Sequence, residues 1–317
     1  LFVMKTFIPF TIAAALAASG LANAQAFSQP SGYYQFDGKA GGNIFIPAFV
    51  NPSVASGAIT GSNATTLTLP ASTLTPNALN AGAAFPTHYV EFTSGPNAGV
   101  VVDIESNTAT TITLDADILA LGLVNNEAIS IRPHVTLRSV LASSESSLAG
   151  FTDSATFYLS NGVAVSYFYI DATTGWSSDF STPDGNNQPV PPGTGFVLFL
   201  NSAAPLTVTG EVKASPTVVQ LTSGVVNIVG LVNPLVGSSV DLDTTGFEDL
   251  AAFADSITVY EPGPLVNSVS YFPLGDGTLS TDFSTPTTDQ IANTTGAVVI
   301  PSVTSSVKLS PGFTISQ

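Results

Sequence analysis

The sequence predicts an all-β fold made of two related sandwich-like β-modules, with a small β-subdomain inserted in the first. Short runs of β-branched and aromatic residues, separated by Gly, Pro, Asn and Ser, occur throughout the chain, as in proteins built from many short strands. Residues 111–114 and 256–259 alternate polar with apolar side chains, which is typical of half-buried strands. Helical periodicity is sparse, and we expect only short helices near residues 137–141 and 247–253.

An internal repeat is the strongest sign of how the chain is organised. The pentapeptide Asp-Phe-Ser-Thr-Pro occurs at residues 179–183 and again at residues 282–286. Each copy follows a Ser-Tyr-Phe triplet and precedes a Thr-Gly pair. Upstream, Gly-Phe-Thr-Asp at residues 150–153 is matched with Gly-Phe-Glu-Asp at residues 246–249. Two copies indicate a duplication, and we expect the two modules to pack about a pseudo-twofold axis. A solenoid is not expected, because it needs at least three repeats.

An upstream match gives the boundaries of the insertion. Val-Asn-Pro at residues 50–52 recurs at residues 232–234, but the distance between these copies exceeds that of the other matches. The excess is close to the length of residues 54–133, which contain their own set of predicted strands. We therefore expect a first module of residues 25–53 plus 134–213, an inserted β-subdomain of residues 54–133, and a second module of residues 214–317.

The first 24 residues are typical of a secretory signal peptide. Met4 and Lys5 precede an uncharged apolar stretch from Phe7 to Ala18, and Ala-Asn-Ala at residues 22–24 fits a signal-peptidase site. The apolar stretch is too short for a transmembrane helix. We expect a mature chain that begins at Gln25, lacks a membrane span, and is secreted, periplasmic or held at the cell surface.

Charge and cysteine content exclude several classes of function. The chain has 22 acidic and 6 basic residues, and removing the signal peptide takes away Lys5, for a net charge of −17. Nucleic-acid binding needs a basic surface that displaces counterions, so it is not expected here. The absence of cysteine excludes disulfides, thiolate zinc sites and thiol nucleophiles.

No catalytic centre is predicted. The only histidines are His88 and His134, and His88 precedes Glu91 by three residues on a predicted strand, so the two side chains point to opposite faces. The chain has no Gly-x-Ser-x-Gly nucleophile motif. A carboxylate pair of the glycosidase type stays open, because the separation of two acids depends on the fold.

Calcium is the one cofactor for which the sequence offers candidates. Asp115 with Asp117, and Asp241 with Asp243, place oxygen ligands at turn spacing, which suits a hard cation. Neither pair matches the twelve-residue EF-hand loop, and Asp-x-Asp is also ordinary turn chemistry.

Three aromatic residues are candidates for stacking on a sugar: Trp176, Tyr33 and Tyr34. The second module has Leu279 near the position that matches Trp176. An aliphatic residue at that position favours a packing role for the tryptophan instead.

The insert and the segment after it carry a resemblance to a known group of proteins. The relevant segments are His88-Tyr89-Val90, Gly95-Pro96-Asn97-Ala98-Gly99, Thr111 to Asp115, Ile129 to Pro133 and Thr136 to Leu141. The chain resembles an uncharacterised family of exported β-rich proteins found mainly in Verrucomicrobia and related bacteria. The resemblance implies export and this organisation, and it assigns no catalytic residue.

We expect the repeated pentapeptide to form a structural turn in each module. Asp179 and Asp282 are expected to accept hydrogen bonds from the amides of the following turn, with Phe180 and Phe283 buried.

The favoured function is a non-catalytic structural or interaction protein of the cell surface or extracellular matrix, whose partners are other copies of itself or other surface proteins. An extracellular carbohydrate-binding module, with or without calcium, is the second interpretation, and a glycoside-active hydrolase is the third.

Overall fold

The computed structural model describes residues 31–70, 74–80, 82–213, 215–230, 239–242, 245–260, 268–292 and 296–309. It is mostly β, with 45% strand and 7% helix, and its sheets are antiparallel, so the predicted all-β class is confirmed. The expected helix at Leu137–Leu141 (α1) is present, and near residue 247 the chain forms a single 3-10 turn, Phe247–Asp249. The signal-peptide prediction falls outside the described residues.

The strands are short and are numbered in chain order. They are β1 Ser31–Gly38, β2 Gly41–Phe45, β3 Phe49–Val50, β4 Ala55–Ala58, β5 Gly61–Ser62, β6 Thr66–Thr68, β7 His88–Phe92, β8 Val101–Asn107, β9 Thr111–Leu114, β10 Ala128–Pro133, β11 Val135–Thr136, β12 Ser154–Tyr158, β13 Ala164–Tyr169, β14 Trp176–Ser177, β15 Pro189–Val190, β16 Phe196–Leu200, β17 Ala204–Val212, β18 Thr217–Leu221, β19 Asn227–Gly230, β20 Ser239–Asp241, β21 Ser256–Tyr260, β22 Ser268–Pro273, β23 Leu279–Ser280, β24 Gln290–Ala292, β25 Gly296–Ile300 and β26 Ser305–Leu309.

The first module packs two sheets around one core. A five-stranded sheet has the order β14-β13-β12-β16-β2, and a three-stranded sheet has the order β1-β17-β3. Alternate side chains of both sheets point inward, as a sandwich requires. Their shared cluster includes Phe45 and Phe196 from one sheet, Phe36 and Leu206 from the other, and Leu137 from helix α1.

The second module has the same strand order. Its five-stranded sheet runs β23-β22-β21-β25-β19, position for position as in the first module, and β18 pairs with β26 beside it. Two asparagines occupy matching places: the side-chain amide of Asn43, which is buried, donates to the Leu198 carbonyl (3.3 Å), and that of Asn227, which is half-buried, donates to the Val299 carbonyl (3.2 Å). A repeated module predicts this agreement, and duplication stays our interpretation of it.

The structure changes one match within the repeat. Phe151 corresponds to Phe253, because both have a left-handed φ (62° and 60°). The carboxylates two residues later also behave alike: Asp153 accepts from the Ala149 amide (2.8 Å) and Asp255 from the Ala251 amide (2.9 Å). The proposed match of residues 150–153 with residues 246–249 is therefore wrong.

The insert has its own sheet and core. Strands β4 to β10 form a seven-stranded sheet in the order β4-β10-β7-β8-β9-β6-β5, which curls into a half-barrel. The segment between the edge strands β4 and β5 spans the opening of the curl: the Ile59 amide donates to the Glu127 carbonyl, next to β10 (3.0 Å), and the Thr60 amide to the Thr68 carbonyl of β6 (2.8 Å). Ala55 lies opposite Ile131, so the insert begins and ends at neighbouring points.

The two modules touch through a small apolar cluster built on Ile44, Ile46 and Ile228. The contact is reciprocal. Ile44 of the first module packs so closely on Gly296 of the second that a Cβ added to this glycine would lie 2.2 Å from the Ile44 Cγ2. In the other direction, the Gly195 amide of the first module donates to the Ile228 carbonyl of the second (3.3 Å). Ile44 and Ile228 are matching residues of the two modules, as are Gly195 and Gly296. A reciprocal contact of this kind is what a pseudo-twofold arrangement predicts.

Candidate interaction sites

The repeated pentapeptide presents its phenylalanines to solvent. Phe180 is 47% exposed and Phe283 is 48% exposed, so the expectation that both are buried is wrong. Each residue has a left-handed backbone, with φ of 64° and 63°. In that conformation the side chain leaves the line of the strand and points outward, whereas a strand residue would have placed it in the core.

The aspartates of the pentapeptide hold this turn, as the sequence predicts. Asp179 Oδ1 accepts from the amides of Thr182 (2.7 Å) and Ser181 (2.8 Å), and Asp282 Oδ1 accepts the equivalent pair. These amide hydrogen bonds, with help from nearby hydroxyls, hold the pKa of both aspartates well below the ordinary range. The two carboxylates are therefore ionised and engaged within their own loops.

Each exposed phenylalanine stacks on a second ring. Phe180 lies on Phe168 with 4.4 Å between ring centroids, and Phe283 lies on Phe272 at 4.0 Å. In the first module the row extends to Phe151, which is 60% exposed and 6.4 Å from Phe180.

We define the first phenylalanine patch as Phe151, Phe168 and Phe180, and the second as Phe253, Phe272 and Phe283. Phe253 is 58% exposed. Its amide donates to the carbonyl that ends strand β22 (2.9 Å), as the amide of Phe151 does at the end of β13 (2.7 Å).

Four of these rings are exposed and have a left-handed backbone, and core packing does not explain them: Phe151, Phe180, Phe253 and Phe283. A left-handed backbone costs a residue with a side chain about 1–2 kcal/mol, and glycine would avoid that cost. A half-exposed ring also gains less from leaving water than a buried one. Unfavourable backbone conformations that recur at equivalent positions point to a functional constraint on the surface that they form.

The aromatic residues predicted to stack on sugar do not form one platform. Trp176 is fully buried against Tyr169, with ring centroids 5.5 Å apart, so its faces are unavailable to a ligand. Tyr33 is 75% exposed, whereas its neighbour Tyr34 is half-buried and donates its hydroxyl to the Ile46 carbonyl. Burial raises the pKa of Tyr34. Consecutive residues of a strand point to opposite faces, which separates the two tyrosines.

The candidate calcium ligands are only partly assembled. Asp117 accepts from the Leu119 amide (2.8 Å), and burial together with the nearby carboxylate of Asp103 raises the pKa of Asp115. Asp241 lies in strand β20, opposite Gln290, and its partner candidate Asp243 lies outside the described residues. In the described part of the chain, no three acidic or histidine side chains come together in a way that could hold a metal. Calcium binding stays a sequence-based prediction.

The two histidines lie on neighbouring segments, and each has its own partner. The His88 Nδ1 is 2.9 Å from the Leu79 carbonyl, and burial lowers the pKa of this histidine. His134 is buried, and its Nε2 is 2.7 Å from the Asp103 carboxylate.

A buried ionic cluster joins the parts of the molecule, and sequence reasoning did not predict it. We call Glu91, Arg132, Glu211 and Lys213 the ionic joint. Arg132 bonds Glu91 (3.1 Å) and Glu211 (2.5 Å), and Lys213 bonds Glu91 (3.0 Å). All four side chains are at most 10% exposed. The joint thereby ties strands β7 and β10 of the insert to strand β17 and to the segment that leads into the second module.

The ionic joint uses two of the six basic residues in the chain. Burial alone would raise the pKa of Glu91, but Lys213, a neighbouring hydroxyl and the guanidinium of Arg132 outweigh it and leave that pKa below its ordinary value. The carboxylate is thus kept ionised by its partners. The arrangement is a structural clamp with every charge paired.

Comparison with known proteins adds nothing to this geometry, because no family model, curated protein or solved structure matches the chain. Within the described ranges, no helix combines the length and the apolar character that crossing a bilayer requires.

Proposed function

We propose that this chain is an exported, non-catalytic structural or interaction protein of the cell surface or extracellular matrix that associates through its two phenylalanine patches. The observation behind the proposal is the paired occurrence of outward, left-handed phenylalanines at matching positions of both modules.

We propose a second copy of the chain as the occupant of each patch. One chain carries the same surface twice, so a contact between two patches leaves another patch free on each partner. Contacts of this kind propagate from one copy to the next and generate rings or open-ended filaments. Burying the exposed half of one phenylalanine ring contributes about 1 kcal/mol. A single patch therefore binds weakly, and assembly depends on several contacts acting together.

The charge of the protein determines how this association responds to salt. Copies that carry a net charge of −17 after signal removal repel each other, and salt shortens the range of that repulsion. Self-association should therefore strengthen as salt rises. Binding to a cationic partner would weaken instead, because salt screens attraction as well.

Sedimentation velocity of the mature protein tests the proposal, at salt concentrations of about 0.05 M and about 0.5 M. We expect the wild type to form larger species as protein and salt increase, and the double variant Phe180→Ser, Phe283→Ser to stay monomeric. Tyr33→Ser is the matched control, because Tyr33 is an exposed aromatic residue outside both patches. A wild type that stays monomeric under all these conditions would contradict the proposal, as would equal assembly of the double variant.

A further inference from the structure

A groove with a volume of about 280 Å³ lies where the two modules meet. The end of strand β12 and the loop before β16 form one wall, and strands β18 and β19 form the other. Clefts between domains are common positions for ligand sites. The groove contains no part of either phenylalanine patch.

The groove is electrically neutral in a strongly acidic protein. None of its lining side chains carries a charge, although the chain has 28 charged residues. Its walls present the rings of Phe157 and Tyr158, the amides of Gln188 and Gln220, and several hydroxyls. An ionic ligand would find no partner on these walls, whereas a neutral polar ligand with apolar faces matches them.

Part of this polar lining is fixed by the fold. Asn227 Oδ1 accepts from the Thr222 amide (2.9 Å), and Gln188 Oε1 accepts from the Tyr167 hydroxyl (3.0 Å). The Tyr158 hydroxyl and the side-chain amide of Gln220 differ, because neither side-chain group forms a hydrogen bond to any residue that the structure describes. Both residues are exposed, so they can meet a ligand at the mouth of the groove.

The tyrosine position at the end of strand β12 differs in its surroundings between the two modules. Its counterpart in the second module, Tyr260, packs against the apolar cluster of Ile44, Ile46 and Ile228 that joins the modules. Tyr158 is 40% exposed at the edge of the groove. The same aromatic position is thus used for packing in one module and left open in the other.

We propose that this groove binds a neutral saccharide of one or two sugar units. A sugar offers an apolar face for stacking on the Tyr158 ring and hydroxyls for the Gln220 amide. The volume of about 280 Å³ lies just below the range of about 300 to 1,000 Å³ that is common for ligand pockets, and this limits the bound part to a short stretch. The site is separate from the patches, so it does not depend on the proposed function.

Isothermal titration calorimetry of the mature protein tests the site with short neutral oligosaccharides, namely glucose-, xylose- and mannose-based series. Oligogalacturonate serves as the charged comparison. We expect at least one neutral series to bind and the charged one not to bind. Tyr158→Ala should weaken binding at least about tenfold, or 1.4 kcal/mol. Tyr158→Phe should keep most of the affinity, because the stacking surface remains. Tyr33→Ala, the control, should bind as the wild type does.

Gln220→Ala gives a second measurement at an exposed position, where the substitution should leave melting unchanged. A groove that binds no neutral series, or an affinity unchanged in both Tyr158→Ala and Gln220→Ala, would overturn the proposal. The Phe180→Ser, Phe283→Ser variant should bind saccharide normally, and Tyr158→Ala should still assemble, so failure of one proposal leaves the other standing. Precipitation with insoluble polysaccharide separates recognition of chain interiors from recognition of free ends.

Discussion

Replacing Phe180 or Phe283 with glycine should lower the free energy of unfolding less than replacing it with alanine. At an ordinary position glycine is the worse substitute, because it gives the unfolded chain more freedom, by about 0.5–1 kcal/mol. At these two positions φ is 64° and 63°, a region in which any Cβ is strained. The order of the two substitutions therefore reports directly on the backbone that turns each ring outward.

The expected magnitudes follow from exposure and stacking. About half of the Phe180 ring is shielded from water, so its removal loses about 1 kcal/mol of burial, since a fully buried phenylalanine contributes about 1.5–3 kcal/mol. Loss of stacking on Phe168 adds about 0.5–1.5 kcal/mol. Phe180→Ala should then destabilise by about 2 kcal/mol. Phe180→Gly recovers about 1–2 kcal/mol of backbone strain and loses part of that to chain entropy, for a net cost of about 1 kcal/mol.

Urea denaturation followed by circular dichroism measures these differences. Phe196 is the matched control, because it lies in strand β16 and is fully buried, and Phe196→Ala should cost about 3–5 kcal/mol. At that position the glycine variant should be less stable than the alanine variant. If Phe180 and Phe283 showed the same order as Phe196, or a loss as large, the outward left-handed turn would be refuted.

Two further predictions concern charge. Arg132→Leu should lower the free energy of unfolding by about 3–5 kcal/mol, because it leaves the buried Glu211 unpaired, and urea denaturation would reveal this. A loss no larger than that of the exposed Lys39→Leu, expected to be below about 1 kcal/mol, would contradict it. Asp179 and Asp282 have lowered pKa values, so their stabilisation is complete above the ordinary aspartate pKa of about 3.9 and is lost as pH falls further. Melting temperatures from pH 6 to 3 should therefore fall more steeply below pH 4 for the wild type than for the double variant Asp179→Asn, Asp282→Asn, and parallel curves would refute this.

The parts of the fold that depend on local chemistry could be predicted from the sequence. Alternation along residues 111–114 and 256–259 indicated the half-buried strands that the structure contains. The role of Asp179 also followed from local rules, because an aspartate accepting from amides two and three residues later is a short-range arrangement. The direction of Phe180 did not follow, because an aromatic residue in a β-rich chain is ordinarily core and nothing in the residue type indicates a left-handed φ.

Two errors of sequence reasoning have a visible cause. The match of residues 150–153 with residues 246–249 relied on four positions, whereas Leu-Ala-x-Phe-x-Asp-Ser, at residues 148–154 and 250–256, is longer and agrees with the structure. The ionic joint was missed because Glu91, Arg132 and the Glu211–Lys213 pair are far apart in sequence. The alternation of Ile129 and Ile131 places Arg132 on the opposite face of the strand, so the local pattern gave no sign that this cation is buried and must find a partner.

The insert also contacts the segment that connects the two modules. Lys213 and the residues after it connect the two modules, and the insert holds this connection directly: the Val218 amide donates to the Gly99 carbonyl (2.9 Å). The approach is close, because a Cβ on Gly99 would lie 2.7 Å from the Pro216 carbonyl oxygen. The insert therefore contacts both modules at the point where one leads into the other. If the phenylalanine patches join copies of the chain, the geometry of the assembly depends on the angle between modules. We infer that the insert helps to fix this angle and that its contacts serve assembly as well as stability.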